Sequence, residues 1–308
     1  MVTEMKELYR AAEIEDAISD PNTAFISINK DKVVGQNSVP GLIVEPEEIE
    51  YGVEVHIKLE KETVIEKPVH MCFGVTHERA LQKIVMNITL EEKSEIGILA
   101  HCVFPNAKDV EHIMDADIHI KKGAEYRYLE KHIHSPEGGI KVVPTAKVIL
   151  DENARFKTNF ELIEGRVGLI DIDYETTCHK NSVMEMTAKI DGKGDDEIKI
   201  KETGNLIGEG ATGVLNTRVA VRDEASAEVY NKLTATAPYA RGHVDCKEIV
   251  QDNASANAVP IVEVKNPKAH VTHEAAIGSV DTKQLQTLMA RGLSEDEAVD
   301  LIISGLLS

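Results

Sequence analysis

Residues 91–104 read EEKSEIGILAHCVF, and the fold is decided by the pattern they open. A polar triplet, Glu91-Glu92-Lys93, is followed by one small residue, Ser94, and then by a segment in which apolar side chains alternate with others. Alternation at period two marks a strand with one buried face. The same opening recurs as KKGAEYRY (121–128), DENARFKT (151–158), HKNSVMEM (179–186) and GEGATGVL (208–215). The small residues Ser94, Ala124, Ala154, Ser182 and Ala211 are 30, 30, 28 and 29 positions apart. Beyond them the interval falls to about half, at Ala225 and Ala227 in RDEASAEV (222–229), and again between Ala256 and Ala269. A fixed period in an all-strand stretch predicts a solenoid, with side chains one period apart stacked ~4.8 Å from each other. A β-sandwich with regular turns also spaces short strands evenly, so periodicity alone leaves both architectures open.

Period-two segments extend outward from this core, from Val53 to about Ala276, with no helix between them. Upstream, Met5, Leu8, Tyr9 and Ala12 fall on one helical face, Asp20-Pro21-Asn22 ends that helix, and a loop-rich stretch follows to Pro46. Downstream, Asp281 with Gln284 and Ser294 with Glu297 have the spacing of helix caps, and Arg291-Gly292 is a helix stop between them. The expected organisation is therefore a helix-and-loop region (1–52), a β region (53–276) and a helical hairpin (277–308). The hairpin has two candidate roles, covering the end of the solenoid and docking a partner.

Composition narrows the function. The net charge of −19 lacks the basic face that nucleic acid demands and speaks against docking to anionic membrane. No apolar run reaches ~20 residues and the acidic start has no signal-peptide core, so a cytoplasmic protein is expected. Trp is absent, which removes the usual sugar-stacking platform and argues against a β-helix metalloenzyme acting on carbohydrate. The glycines of GNLIGEGATG (204–213) lack the Gly-Lys-Ser/Thr of a phosphate loop, so the chain is not expected to bind ATP. No catalytic triad is recognisable, and no enzymatic activity of its own is expected.

The four cysteines, Cys72, Cys102, Cys178 and Cys246, lie far apart without a Cys-x-x-Cys. Most read as small buried hydrophobes. His101-Cys102 and Cys178-His179 are neighbours on strands and face opposite ways, so neither pair chelates one metal without a bend. His132 and His134 share a face, as a weak metal site or an exposed polar edge. The densest ligand stretch is RGHVDC (241–246) with HVTHEA (270–275). Cys246 and Glu274 are 28 residues apart, close to the period, which places them on stacked coils within reach of one metal if the solenoid is real. His273 beside Glu274 joins them only if the strand bends or ends there.

The segment VPIVEVKNPKAHVTHEAAIGSVDTKQLQTLMARGLSEDEAVDLIISGLL (259–307) resembles the C-terminus of the SufB/SufD family of iron–sulfur cluster scaffolds. The likeness rests on Val262 to Asn266, His273-Glu274-Ala275, Asp281 to Leu285, Arg291-Gly292 and Glu295 to Ala298. It includes Arg241 to Cys246, and a thinner likeness reaches back to about Pro68. The resemblance implies a right-handed parallel β-helix with helical ends and an ABC-type ATPase, SufC, docked at the C-terminal helices. It also implies a nascent iron–sulfur cluster held between two β-helix subunits and passed to apo-proteins. The family's cluster-site Cys and Glu fall on Cys246 and Glu274, with His273 beside them; SufD-type partners lack the Cys, so the chain resembles SufB more closely. It departs from SufB in its shorter N-terminal part. It departs also at Lys147 to Glu152, which carries no counterpart of the interior cysteine that receives sulfur. The short form implies a homodimer with two ATPases. The alternative is a structural subunit of the SufD kind that ligates no iron. Should Cys246 and Glu274 not serve, His243 and Glu263 are the next donors in the same region.

Overall fold

The structure, a computed structural model, describes residues 2–308; in the first helix it describes the side chains of Lys6 and of Leu8 onward, so Met5 lies outside them. The chain begins with α1 (Val2–Ala11), α2 (Glu15–Ser19), β1 (Phe25–Asn29), β2 (Lys32–Asn37), β3 (Leu42–Ile49) and β4 (Gly52–Leu59). It continues with β5 (Val69–Gly74), β6 (Arg79–Leu90), β7 (Glu95–Phe104), β8 (Asp109–Ile120), β9 (Glu125–His134), β10 (Ile140–Leu150), β11 (Arg155–Glu164) and β12 (Gly168–Cys178). The last coils are β13 (Val183–Gly192), β14 (Glu197–Leu206), β15 (Thr212–Val221), β16 (Ser226–Ala235), β17 (Arg241–Val250), β18 (Ser255–Val264) and β19 (His270–Gly278). The helices α3 (Thr282–Met289) and α4 (Glu295–Leu307) follow.

From β4 onward the odd and even strands separate into two parallel sheets, β19-β17-β15-β13-β11-β9-β7-β5-β1 and β18-β16-β14-β12-β10-β8-β6-β4. This is the parallel β-helix, two strands and two corners per coil. Residues stack one coil apart, as Phe156 on Tyr126 and Met184 on Phe156, and Val, Ile, Leu and Met fill the space between the sheets. Ser94, Ala124, Ala154, Ser182 and Ala211 all stand at the same corner, each buried, each donating its N–H to the carbonyl three residues back. The residue before each is left-handed (Lys93, Gly123, Asn153, Asn181 and Gly210), which favours Gly and Asn there. The spacing does not break after Ala211: it continues through Ala240 and Ala269, each directly before the next strand of the same sheet, and Ala225 and Ala254 belong to the opposite corner, where the same tight turn recurs in the last coils.

The first 52 residues are not only helix and loop. β1 joins the first sheet in parallel with β5, and β1–β2 and β3–β4 are antiparallel pairs that close the start of the solenoid. These strands are short and stand outside the repeat, which is why period counting passes over them. α1 lies over the outer face of that end, with Leu8 packed near Cys72 and Val103. The C-terminal hairpin has the expected caps: Asp281 accepts from the Gln284 N–H, and Ser294 and Glu297 form a capping box. It does not cover the end of the solenoid. Ile303 and Leu307 of α4 pack on Ala220 of β15, and Arg222 bonds Asp300 at 2.6 Å, so the hairpin lies on a side wall. Both sheets consequently terminate in strands, β18 and β19, whose outer edges are unpaired among the described residues. No helix among the described residues is long and apolar enough to cross a membrane.

Candidate functional site

The uncovered end is where the ligand-rich stretch lies. β17 and β19 pair with a constant offset of 29 residues: Val244 opposite His273, Asp245 opposite Glu274, Cys246 opposite Ala275. A separation of 28 therefore misses by one, and a one-residue miss in a strand reverses the face. Cys246 points into the solenoid and is fully buried in its core. Glu274 stands on the outer face and is exposed. The two lie on stacked coils as expected but do not face each other within one chain. His273 takes the inward orientation, opposite Val244 and two residues beyond Val271, which packs on the core. No coil follows β19, so His273 is inward-facing and yet exposed.

Around Cys246 the interior is polar. The Asn231 side-chain N–H2 donates to Thr217 Oγ1 at 2.7 Å and lies 3.7 Å from Cys246 Sγ. Glu248, two residues on and on the same face, is 3% exposed, and neither carboxylate oxygen has a partner among the described residues. Burial pushes Glu248 up to about 7 and Glu202, one coil deeper, up to about 8. Burial, and then the negative charge of Glu248 and Glu202, pushes the Cys246 thiol up to about 12. At neutral pH it is a thiol, and a metal ion able to displace its proton is what converts it to a ligand. Glu248 escaped the sequence reading; its signal was the i, i+2 spacing from Cys246 along an inward face.

On the outer face His243, Asp245 and Glu274 bring ligand atoms within 4.8 Å of one another. Partial burial raises the Asp245 carboxyl, but hydrogen bonds and charge from Arg218 and Lys247 outweigh it and hold the group below the usual carboxylate range. His243 Nδ1 is 2.8 Å from Thr272 Oγ1. This is a set of hard and borderline donors, of the kind that hold first-row divalent metals. Glu263 is occupied elsewhere, by Thr234 at 3.1 Å and Lys232 at 3.3 Å.

The family model described as SUF system FeS cluster assembly, SufBD core domain, matches residues 74–306. The chain belongs to the SufBD family. It is 40% identical to an iron-sulfur cluster assembly SufBD family protein of Methanocaldococcus jannaschii over 92% of this chain and 89% of that one. It is 35% identical to one of Pyrococcus horikoshii over 98% and 92%. Against the iron-sulfur cluster assembly protein SufB of Bacillus subtilis the identity is 24%, over 82% of this chain and 54% of that protein.

The SufBD core of this protein holds a second polar cluster, midway along its interior. Three of the four cysteines, Cys102, Cys178 and Cys246, lie in the interior core, while Cys72 lies outside it under α1. Val148 and Leu150 fill the inward positions of β10, so no thiol stands at that point of the interior, while the burial of the other cysteines is as expected. His132 and His134 are not an exposed edge: both are buried, and so are Glu130 and Cys102 beside them. Cys102 Sγ lies 3.9 Å and His132 Nε2 2.7 Å from Glu130 Oε1. Burial holds His132 down to about 3, His112 to about 3 and His134 well below its usual value, and pushes Glu130 up to about 7. The imidazoles are neutral at physiological pH.

Proposed function

We propose that this SufBD protein is a scaffold on which a nascent iron–sulfur cluster is built between two copies of the chain, for transfer to apo-proteins. The observation that carries the reading is the position of Cys246. It is the inward thiol one coil beneath an end that both sheets leave open, with His273 on the same face above it. Two copies joined at that end, related by a twofold axis, bring two such thiols toward one interface. Glu274 faces outward, so it serves the cluster held by the opposite copy or delivers iron to it together with His243 and Asp245. A mixed S, N and O donor set holds iron without the grip of four thiolates and so releases a finished cluster.

The energy for assembly comes in this reading from an ABC-type ATPase of the SufC kind. Its docking surface is the hairpin groove, an apolar cleft of about 710 Å³ between α3, α4 and Ile249, lined by Leu288, Leu301, Ile302 and Leu306. The scaffold itself neither binds ATP nor catalyses a reaction. Anaerobic reconstitution with ferrous iron and sulfide tests the proposal. Iron and sulfide bound per dimer, and their passage to an apo-ferredoxin, support it. Failure of the folded dimer to take up sulfide overturns it.

A further inference from the structure

The proposed function leaves the central cluster unused, and its hydrogen bonds carry a constraint. The Arg166 carbonyl oxygen, 3.1 Å from His134 Nδ1, only accepts, so Nδ1 carries the hydrogen. Neutral His134 then offers Nε2 as an acceptor, and His132 Nδ1 donates to it across 3.0 Å. His132 Nε2 is left with a bare lone pair 2.7 Å from Glu130 Oε1. A carboxylate oxygen also presents lone pairs, so something positive belongs between them, a proton or a metal cation. His112 is a separate observation. It is fully buried on β8, its ring centroid is 6.2 Å from that of His132, and neither of its ring nitrogens has a partner among the described residues. An unpaired buried polar group is destabilising unless something occupies it.

We propose that Cys102, Glu130, His132 and His112 form a buried site for one resident divalent transition-metal ion of the Fe(II) or Zn(II) class. Cys102, Glu130 and His132 already bring their ligand atoms within 4.8 Å of one another. Sulfur and oxygen ligands of a tetrahedral site stand about 3.5 Å apart. The Cys102–Glu130 gap of 3.9 Å is close to that, and the 2.7 Å His132–Glu130 pair has to open by less than about 1 Å. Rotation of the His112 ring supplies the fourth donor. One thiolate and one carboxylate balance the two positive charges, so the filled site is neutral, the condition under which charge is tolerated in a core. Binding releases two protons, one from the Cys102 thiol and one from between Glu130 and His132. His134, fixed by the Arg166 carbonyl, orients His132 as outer partners of metal ligands do. The cavity beside Glu130, walled by Tyr126, Tyr128 and Tyr174, measures about 30 Å³, room for little more than a water molecule, so the ion enters as the chain folds. Four strands of the same sheet separate β7 from β17, which puts this site about 24 Å from Cys246.

The test uses cobalt(II) as the probe. The full chain is produced in cobalt-supplemented cells and dialysed anaerobically against a chelator. The expected result is one cobalt per chain that resists the chelator and shows a thiolate-to-cobalt charge-transfer band. That band is lost in Cys102→Ser, cobalt retention falls at least tenfold in Glu130→Gln, and both persist in Cys246→Ser. Parallel preparations supplemented with iron or zinc identify the physiological ion. Folded wild-type protein free of cobalt, which leaves a proton between Glu130 and His132, overturns the proposal. So does a band that survives in Cys102→Ser or disappears in Cys246→Ser. Should Cys102→Ser fail to fold, the isosteric Glu130→Gln decides alone, and full cobalt occupancy in it overturns the site.

Discussion

Cys246 and Glu274 lie one pairing position out of step on adjacent strands: Cys246 faces Ala275 inside the solenoid, and Glu274 faces Asp245 on its outer wall. In one chain their side chains leave opposite faces of the sheet. If Cys246 holds the cluster and Glu274 works from the opposite wall, their losses differ. Cys246→Ser is expected to abolish the thiolate-to-iron absorbance after anaerobic reconstitution. Glu274→Ala is expected to lower iron uptake while leaving that absorbance detectable. Cys178→Ser, deep in the core, and Cys72→Ser, under α1, should alter only stability. Equal cluster content in wild type and Cys246→Ser removes this cysteine from the site.

The buried carboxylates make stability depend on pH in an unusual direction. Burial raises Glu202 from 4.5 to about 8, so between those values the folded chain holds a proton that the unfolded chain has lost. Stability is then greatest below about 4.5 on this account and falls as pH rises to about 8. At ~1.4 kcal/mol per unit, the fall is on the order of 3–5 kcal/mol for this group. Glu202→Gln is always neutral and escapes it. Thermal midpoints of the two proteins should nearly coincide at pH 5 and diverge by pH 8, with the variant the more stable. A constant difference across that range contradicts the assignment.

The solenoid could be read in the chain because its corners are local chemistry. A left-handed residue followed by a small one, as in Asn153-Ala154, is a turn whatever surrounds it. The phase of each strand is set differently. Whether His132 faces in or out depends on the alternation inherited from Tyr126, and the period alone is silent on that. Cys246 and Glu274 show the same limit, since one residue gained or lost at a corner shifts the offset from 28 to 29 and exchanges inside for outside. The cluster of Cys102, Glu130, His132 and His112 draws on three strands and two sheets, so no spacing announces it. The hairpin was legible as two capped helices, but its seat on Ala220 depends on side-wall packing that no capping signal encodes.

That seat makes a prediction for the partner. Leu301 is 52% exposed on the groove side of α4, although the opposite face of the helix is buried through Ile303 and Leu307. Exposed substitutions of this kind change stability by about 0.5 kcal/mol or less. Leu301→Asp, alone and with Leu288→Asp, is expected to leave the β-sheet circular dichroism unchanged and to abolish co-purification with the ABC-type ATPase proposed as its partner. Undiminished co-purification places the ATPase elsewhere on the chain.

The open end makes the last prediction. Strand edges left unpaired recruit other strands, and proteins that avoid this place charge or proline on them. Here the terminal strands carry Val264 at 47% and Ile277 at 46% exposure, apolar side chains where an unpartnered edge would favour lysine. Burial of each against a second copy contributes about 1.5–3 kcal/mol. Val264→Lys with Ile277→Lys places like charges from both copies against each other across a twofold axis. Sedimentation should show the wild-type chain as a dimer and this double variant as a folded monomer. Because Cys246 is untouched in the variant, its cluster uptake reports whether one copy is enough. The expected outcome is loss of the reconstituted cluster together with loss of the dimer. A monomer that still assembles the cluster keeps Cys246 as a ligand and removes the interface from the function.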